Sequence, residues 1–218
     1  MKSDQFSDRT IDDLIRQYRI IAIMRHIPDD QLIPVFRALA DAGIRMIEIT
    51  MNTQAAFDQI RLVRTHFAGE MLIGAGTVTT LELAQEAIDA GARFLVTPNL
   101  NLQVLQLAKN RGCPVIPGVM TPTEMAMAAQ AGARVLKLFP AGHLGPGYVK
   151  DVLAPLDDIC LIAVGGVTPD NMNDWLRAGC IGVGMGSSLI DPQLLRECRY
   201  EELGQRTQRT LQMLKQGS

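Results

Sequence analysis

The sequence predicts an α/β fold of one (β/α)8 barrel, and three observations carry that reading. First, a helix-to-strand grammar recurs in DAGIRMIEIT (41–50), DAGARFLVTP (89–98), QAGARVLKLF (130–139) and RAGCIGVGMG (177–186). In each, a helix ends at Ala-Gly, where glycine supplies a left-handed cap, and a short apolar strand follows. Second, four more strand-like runs at 20–24, 71–75, 114–117 and 160–164 interleave with the repeats, which makes eight strands. Third, a helical stretch separates each strand from the next. One connection type throughout implies parallel strands with right-handed crossovers, and eight such units close a barrel at the short end of its size range. A doubly wound open sheet is the alternative, but it wants a G-x-G-x-x-G fingerprint after the first strand, and none is there.

Taken in order, residues 3–17 read as an extra helix before the barrel, and 20–24 as the first strand. Leu32, Val35, Phe36 and Leu39 then recur at helical spacing and define one buried face. Thr79 with Glu82, and Thr121 with Glu124, have capping-box spacing, the second with Pro122 at the first helical position. Thr97-Pro98-Asn99 reads as a helix-entry turn that leaves Asn99 a possible pocket residue, and Thr168-Pro169 reads as the opening of another helix. Residues from about 199 to 216 form a last helix outside the barrel, so that 1–218 is expected to be a single domain.

Composition narrows the function. Lys and Arg total 21 against 23 Asp and Glu, a net charge of −2 without the basic excess that nucleic acid or a membrane surface asks for. Apolar residues are 47% and charged residues 20%, which argues against extensive disorder. No apolar run approaches the roughly 18 residues of a membrane span. The polar, acidic start MKSDQFSDRTIDDL does not read as a signal peptide. Cys113, Cys160, Cys180 and Cys198 form no C-x-x-C pair and are expected to be buried thiols, with the cytoplasm as the expected compartment.

Alternation along the strands places the chemistry. Alternate residues of a barrel strand point inward, so Met46, Glu48 and Thr50 face in, as do Val135, Lys137 and Phe139. Glu48 and Lys137 each come five residues after their Ala-Gly glycine, on the second and sixth strands. Even-numbered strands supply the same interior layer, so a carboxylate and an amine are expected to meet inside the barrel. A buried ion pair is the plain structural alternative, and desolvating both ions costs several kcal/mol each. A desolvated lysine has its pKa pushed down and becomes a nucleophile for carbonyl carbon.

The loops after the seventh and eighth strands are Val164-Gly165-Gly166 and Gly184-Met185-Gly186-Ser187-Ser188. In this barrel class those two loops often bind phosphate through backbone N–H groups, though either alone would pass for ordinary turn glycine. Arg25 closes the first strand on the face of Ile21 and Ile23, placed either to bind an anionic substrate or to rest in solvent at the rim. Thr77, after Gly-Ala-Gly, could hold a carboxylate or merely enter a helix. His26, His66 and His143 show no metal-ligand spacing, and neither a metal nor a cofactor is expected.

As a set, IIAIMR, MIEITMNT, LIGAGTV, FLVTPN, VIPGVMTPTE, LKLFPAGHLGPGYVK, AVGGVTPDN and GVGMGSSL resemble the class I aldolases for 2-keto-3-deoxy-6-phospho-sugar acids, over about residues 18–190. The resemblance implies Lys137 as the Schiff-base residue and Glu48 as the general acid/base. It implies Arg25, Thr77, Asn52, Pro98, Phe139 and Val164 around the substrate, and Gly165, Gly166, Gly186 and Ser187 around its phosphate. Asn52 and Val164 stand where the gluco branch typically has Arg and Thr. With Thr97-Pro98-Asn99 they look like the galactonate-type branch, which differs at C4. A gluconate or 4-hydroxy-2-oxoglutarate substrate is the alternative. The family also implies a homotrimer. Two other classes remain: a phosphosugar epimerase or isomerase, which would favour a metal or an acid pair, and a catalytically silent phosphate-metabolite sensor, which would need no lysine.

Overall fold

The computed structural model describes residues 5–6 and 9–216. Helix α1 (Ile11–Tyr18) leads into β1 (Ile20–Met24), α2 (Asp29–Ala42), β2 (Met46–Thr50), α3 (Ala56–His66), β3 (Leu72–Gly76) and α4 (Leu81–Asp89). There follow β4 (Leu95–Val96), α5 (Leu102–Asn110), β5 (Val115–Ile116), β6 (Gly118–Val119), α6 (Pro122–Gln130) and β7 (Val135–Leu138). A 3-10 turn (Ala141–His143), α7 (Gly145–Leu153), β8 (Cys160–Val164), α8 (Met172–Arg177), β9 (Gly182–Met185), α9 (Pro192–Arg196) and α10 (Tyr200–Gln216) complete the described chain.

The strands lie in the order β5-β4-β3-β2-β1-β9-β8-β7-β6, and every pairing is parallel. The barrel is correct and the open sheet is not. The expected fifth strand is two pieces, because Pro117 has no N–H to give to a ladder. Its first piece, β5, pairs with β4, and its second, β6, with β7. Pro117 still contributes its carbonyl, which accepts the Lys137 N–H at 2.8 Å.

Inward and outward side chains sort as alternation requires. Ile21, Met46, Leu72, Phe94, Val96, Ile116, Val135 and Ile162 fill the barrel, and Ile11, Leu14 and Ile15 of α1 join the same cluster. Ile47, Ile49, Leu136 and Leu138 face the helices, against which Leu32, Val35, Phe36 and Leu39 of α2 are wholly buried. Helix α10 lies across α2.

Several local expectations shift by a few residues. Thr80, not Thr79, caps α4 by accepting the Leu83 N–H at 3.3 Å. The Thr121–Glu124 box is present as expected, with Pro122 beginning α6. Thr168-Pro169 forms a turn instead of opening a helix: Asn171 accepts the Thr168 N–H through its side chain, and α8 starts at Met172. Likewise Asn101, beyond Thr97-Pro98-Asn99, caps α5 by accepting from Gln103 and Val104. The N-terminal helix is shorter than expected and begins after its cap at Thr10; residues 3, 4, 7 and 8 of that expectation lie outside the described residues. Only Cys113 and Cys180 are buried, each with its thiol pushed up to about 12 by desolvation, whereas Cys160 is half-buried and Cys198 exposed. Among the described residues no helix is long and apolar enough to cross a membrane.

Candidate active site

Strands β2 and β7 carry Glu48 and Lys137 into the barrel. Glu48 lies in register with Ile23 and Gly74 on its neighbours, and Lys137 with Gly118 and Ile162. Glu48 is 3% exposed and Lys137 6%, so both are largely stripped of water. They do not form an ion pair within 4 Å, yet each feels the other's charge. Burial pushes the Glu48 carboxyl up, with Lys137 and then Arg25 pulling against it. Burial likewise drives the Lys137 ammonium down; Glu48 opposes this and Arg25 reinforces it. Desolvation wins for both, which favours an uncharged amine beside a carboxyl that can give or take a proton.

Close packing sets these two groups. A Cβ on Gly76 would stand 2.7 Å from the Glu48 carboxyl carbon, so the missing side chain there is the room in which the carboxyl sits. The Lys137 ammonium lies 4.6 Å from the Phe139 ring centroid, a cation–π distance.

Phe139 also lines a cavity of about 820 Å³ at the strand ends. Arg25, Val164, Gly165, Gly166, Gly186 and Ser187 line it too, so seven expected site residues share one chamber. Among the described residues no Asp or Glu is on its wall, while Arg25 and Arg196 are. Neither arginine has an ion-pair partner within 4 Å among the described residues, which leaves the chamber cationic and suited to an anion. Gly165 (φ 89°) and Gly166 (φ 79°) adopt the left-handed backbone that other residues resist. The Gly142 N–H donates to the Gly165 carbonyl at 2.7 Å, which ties the loop after β8 to the 3-10 turn after β7, and the Ser188 hydroxyl donates to the Val167 carbonyl at 2.8 Å, which ties it to the loop after β9. Ser187, by contrast, is exposed and lines the cavity. Val164 packs over Gly184, its register partner, where a Cβ would come within 2.8 Å of Val164 Cγ2.

Five expected residues are not on this chamber's wall: Lys137 and Glu48, which are buried inside the barrel with Lys137 against the chamber residue Phe139, and Thr77, Pro98 and Asn52. Thr77 is half-buried just past β3 with φ 57°, a left-handed conformation costing a β-branched residue on the order of 1–3 kcal/mol, as strained functional positions often do. Pro98 is half-buried against β6: a Cβ on Gly118 would fall 2.3 Å from its carbonyl carbon. Thr97 bolts that approach, donating to the Asn99 carbonyl at 2.6 Å and accepting the Gly118 N–H at 3.2 Å. Asn52 is exposed on the loop after β2, and Asn99 is exposed as well.

Sequence reading missed His26, Gln31 and Arg196 on the chamber wall. Arg196 closes the short helix α9, and no strand periodicity points to it. It placed Thr50 facing into the barrel without giving it a role, and it passed over Thr53; both are buried polar residues, at the end of β2 and just beyond it. Among the described residues no group of three or more His, Cys, Asp or Glu side chains is placed to hold a metal ion.

Residues 11–206 match the family described as KDPG and KHG aldolase. The chain is 40% identical over 171 residues to 2-dehydro-3-deoxy-6-phosphogalactonate aldolase of Escherichia coli strain K12, covering 78% of this chain and 83% of that one. It is 32% identical over 206 residues to 2-dehydro-3-deoxy-phosphogluconate aldolase of Treponema pallidum strain Nichols, covering 94% and 98%. Among solved structures, a native KDPGal structure superposes with a TM-score of 0.85 at 36% identity, over 91% of this chain and 95% of that one. The family match over most of the chain and these relatives agree, and the chain belongs to the KDPG and KHG aldolase family, a family of lyases.

Proposed function

We propose that the chain is a class I aldolase that cleaves 2-dehydro-3-deoxy-6-phosphogalactonate to pyruvate and D-glyceraldehyde 3-phosphate. The observation that carries this reading is a desolvated amine and carboxyl, Lys137 and Glu48, each feeling the other's charge, with the Lys137 ammonium packed on Phe139 of a chamber that carries Arg25 and Arg196 and, among the described residues, no acid. The neutral Lys137 amine attacks the C2 ketone, and the carbinolamine loses water to give a protonated imine. That imine is an electron sink. Glu48, acting through a water, takes the C4 hydroxyl proton while the C3–C4 bond breaks, and its electron pair moves into the imine as an enamine. The aldehyde leaves, the enamine takes a proton at C3, and water releases pyruvate and the free amine.

Arg25 and Thr77 are read as carboxylate ligands, and Gly165, Gly166, Gly186 and Ser187 as the phosphate cradle, with Arg196 adding positive charge on the same wall. Phosphate binding at that end holds C4 in place for the proton transfer. Asn52 and Pro98, which lie off the chamber in this structure, are read as approaching the substrate from neighbouring loops. We read the assembly as a cytoplasmic homotrimer. In line with that, a similar structure (35% identical, TM-score 0.85, over 92% of this chain and 73% of that one) is a cage designed by fusing symmetric oligomeric domains.

The galacto assignment is supported by the phosphogalactonate aldolases of Escherichia coli and Rhizobium meliloti, each 40% identical to the chain. Val164 supports it physically. It lines the chamber and cannot hydrogen-bond, so a hydroxyl that the gluco epimer would use there is gone. Mispairing one hydroxyl is worth about 1–3 kcal/mol, or roughly 5- to 150-fold. Turnover of both C4 epimers should therefore show a higher kcat/KM for the galactonate, and Val164→Thr should shrink the ratio. A preference for the gluco compound would move the assignment to the phosphogluconate branch. Absence of any adduct after borohydride with pyruvate would instead favour the silent sensor.

Gly186 gives a test of the phosphate end. A Cβ there would meet nothing nearer than Ile23 at 3.8 Å, so the fold has space for a methyl, but that methyl would enter the chamber. Gly186→Ala should keep stability within about 0.5 kcal/mol by thermal melting. It should raise KM for the phosphorylated substrate by about tenfold, the worth of one lost or lengthened hydrogen bond to a charged group. Imine formation with pyruvate, which has no phosphate, should be unchanged; equal damage to both would place the phosphate elsewhere.

A further inference from the structure

We propose that Thr53, acting with Thr50, is a positioning residue that clamps the backbone on both sides of Arg25 and so fixes this guanidinium over the reacting groups. The inference rests on the reading of the site given above, in which Arg25 meets the anionic substrate. Arg25 is the first residue beyond β1, and the chain turns immediately: His26 has φ 54°, a left-handed conformation that a residue other than glycine holds only when its surroundings enforce it.

The enforcement comes from the end of β2. The His26 N–H donates to the Thr53 hydroxyl at 3.0 Å. The Thr50 hydroxyl donates to the Met24 carbonyl at 3.3 Å, and the two hydroxyl oxygens are 3.3 Å apart. A hydroxyl has one proton. That of Thr50 is committed to Met24, so Thr53 must donate to Thr50. Every proton of the relay is then assigned, from the His26 N–H through Thr53 and Thr50 to the Met24 carbonyl, and Arg25 lies between the two clamped peptide groups.

Burial and local geometry make the relay firm. Thr50 is 0% and Thr53 8% exposed, so water competes poorly for these hydroxyls. Thr53 is itself held, because its N–H donates to the Thr50 carbonyl at 2.9 Å and its carbonyl accepts the Ala56 N–H at 3.3 Å. The same strand end carries Glu48 two residues before Thr50, so one rigid segment sets both the carboxyl and the neighbouring arginine. Arg25 itself lines the chamber and has no ion-pair partner within 4 Å among the described residues. Among the described residues its side chain makes no hydrogen bond that would hold it in place of its backbone.

A double-mutant cycle on the full-length protein separates positioning from plain stability. Thr53→Val keeps the shape and removes the hydroxyl, Thr53→Ser keeps the hydroxyl, and Arg25→Gln removes the group being positioned. With the phosphogalactonate substrate, Thr53→Val should lower kcat/KM about tenfold, mostly through KM, the scale of one hydrogen bond. Thr53→Ser should stay within about twofold of the parent, and Thr53→Val should cost less than about twofold once Arg25 is already Gln. A merely structural threonine would cost the same factor in both backgrounds. Additive effects, or failure of serine to rescue, would overturn the clamp. If Thr53→Val does not fold, Thr53→Ala is read in the same cycle. A parent chain that turns over neither epimer would sink the functional reading instead, and the inference with it.

Discussion

Lys137→Met should abolish turnover, by a factor on the order of 10⁵–10⁶, the scale on which loss of a covalent nucleophile acts. Methionine approximates the length of lysine and suits a position flanked by Leu136 and Leu138 on a wholly buried strand. The loss should therefore not come from unfolding. Borohydride with pyruvate should add a reduced three-carbon unit to the Lys137 peptide of the parent and none to the variant. Labelling at Lys109 or Lys150 would contradict the assignment. Stability carries an independent sign. The Lys137 ammonium is held below its ordinary value, chiefly by burial, so between its folded and unfolded pKa values the unfolded chain binds the extra proton. The native state is penalised at pH below that window and relieved as pH rises through it. Lys137→Met removes the penalty, and at neutral pH the variant should melt at or above the parent's temperature.

Glu48→Gln should cost about 10²–10⁴ in kcat, the usual worth of a positioned acid/base. Imine formation with pyruvate should become slower but stay detectable, since the amine remains. The pH profile adds a distinct signature. Attack requires neutral Lys137 and proton abstraction requires ionised Glu48, so the parent should lose activity as pH falls. The acid limb should lie above the ordinary carboxylate range because burial raises Glu48, and it should belong to the coupled pair. Glu48 holds the Lys137 ammonium up against desolvation, so without that carboxylate the ammonium falls further. The residual activity of Glu48→Gln should therefore have its acid limb displaced to lower pH. Near-parental turnover, or a limb moving upward, would assign the proton transfers to another group.

The legible parts of the molecule are those where a period governs. Two-residue alternation places Glu48 and Lys137 inside and Ile47, Ile49, Leu136 and Leu138 outside, and the first two are buried near enough to feel each other's charge. Helical spacing likewise yields the buried face of α2. What escapes is aperiodic. Whether Thr79 or Thr80 caps α4 depends on which hydroxyl meets a free N–H, and Thr168-Pro169 fails to start a helix because the side chain of Asn171 takes the Thr168 N–H into a turn. Pro117 is plain in the sequence, but strands pairing on either side of it are a property of the closed ring. Alternation puts Thr50 inside but says nothing of its bond to Thr53, which lies on the loop after β2, and Arg196 ends the short helix α9, where no strand period reaches.

The unequal strand lengths have a mechanical side. From β3 through β2, β1, β9 and β8 to β7 the wall is made of strands of four or five residues, whereas β4, β5 and β6 have two residues each. Backbone hydrogen bonds along the first arc reinforce one another, and the second is a seam. Arg25, Glu48, Thr77, Lys137 and both glycine loops are borne by the stiff arc, and Pro98 alone of the expected set comes from the seam. The expected site residues thus stand almost entirely on the most extensively laddered part of the wall, where the spacing between one strand end and the next is set by the largest number of shared backbone bonds.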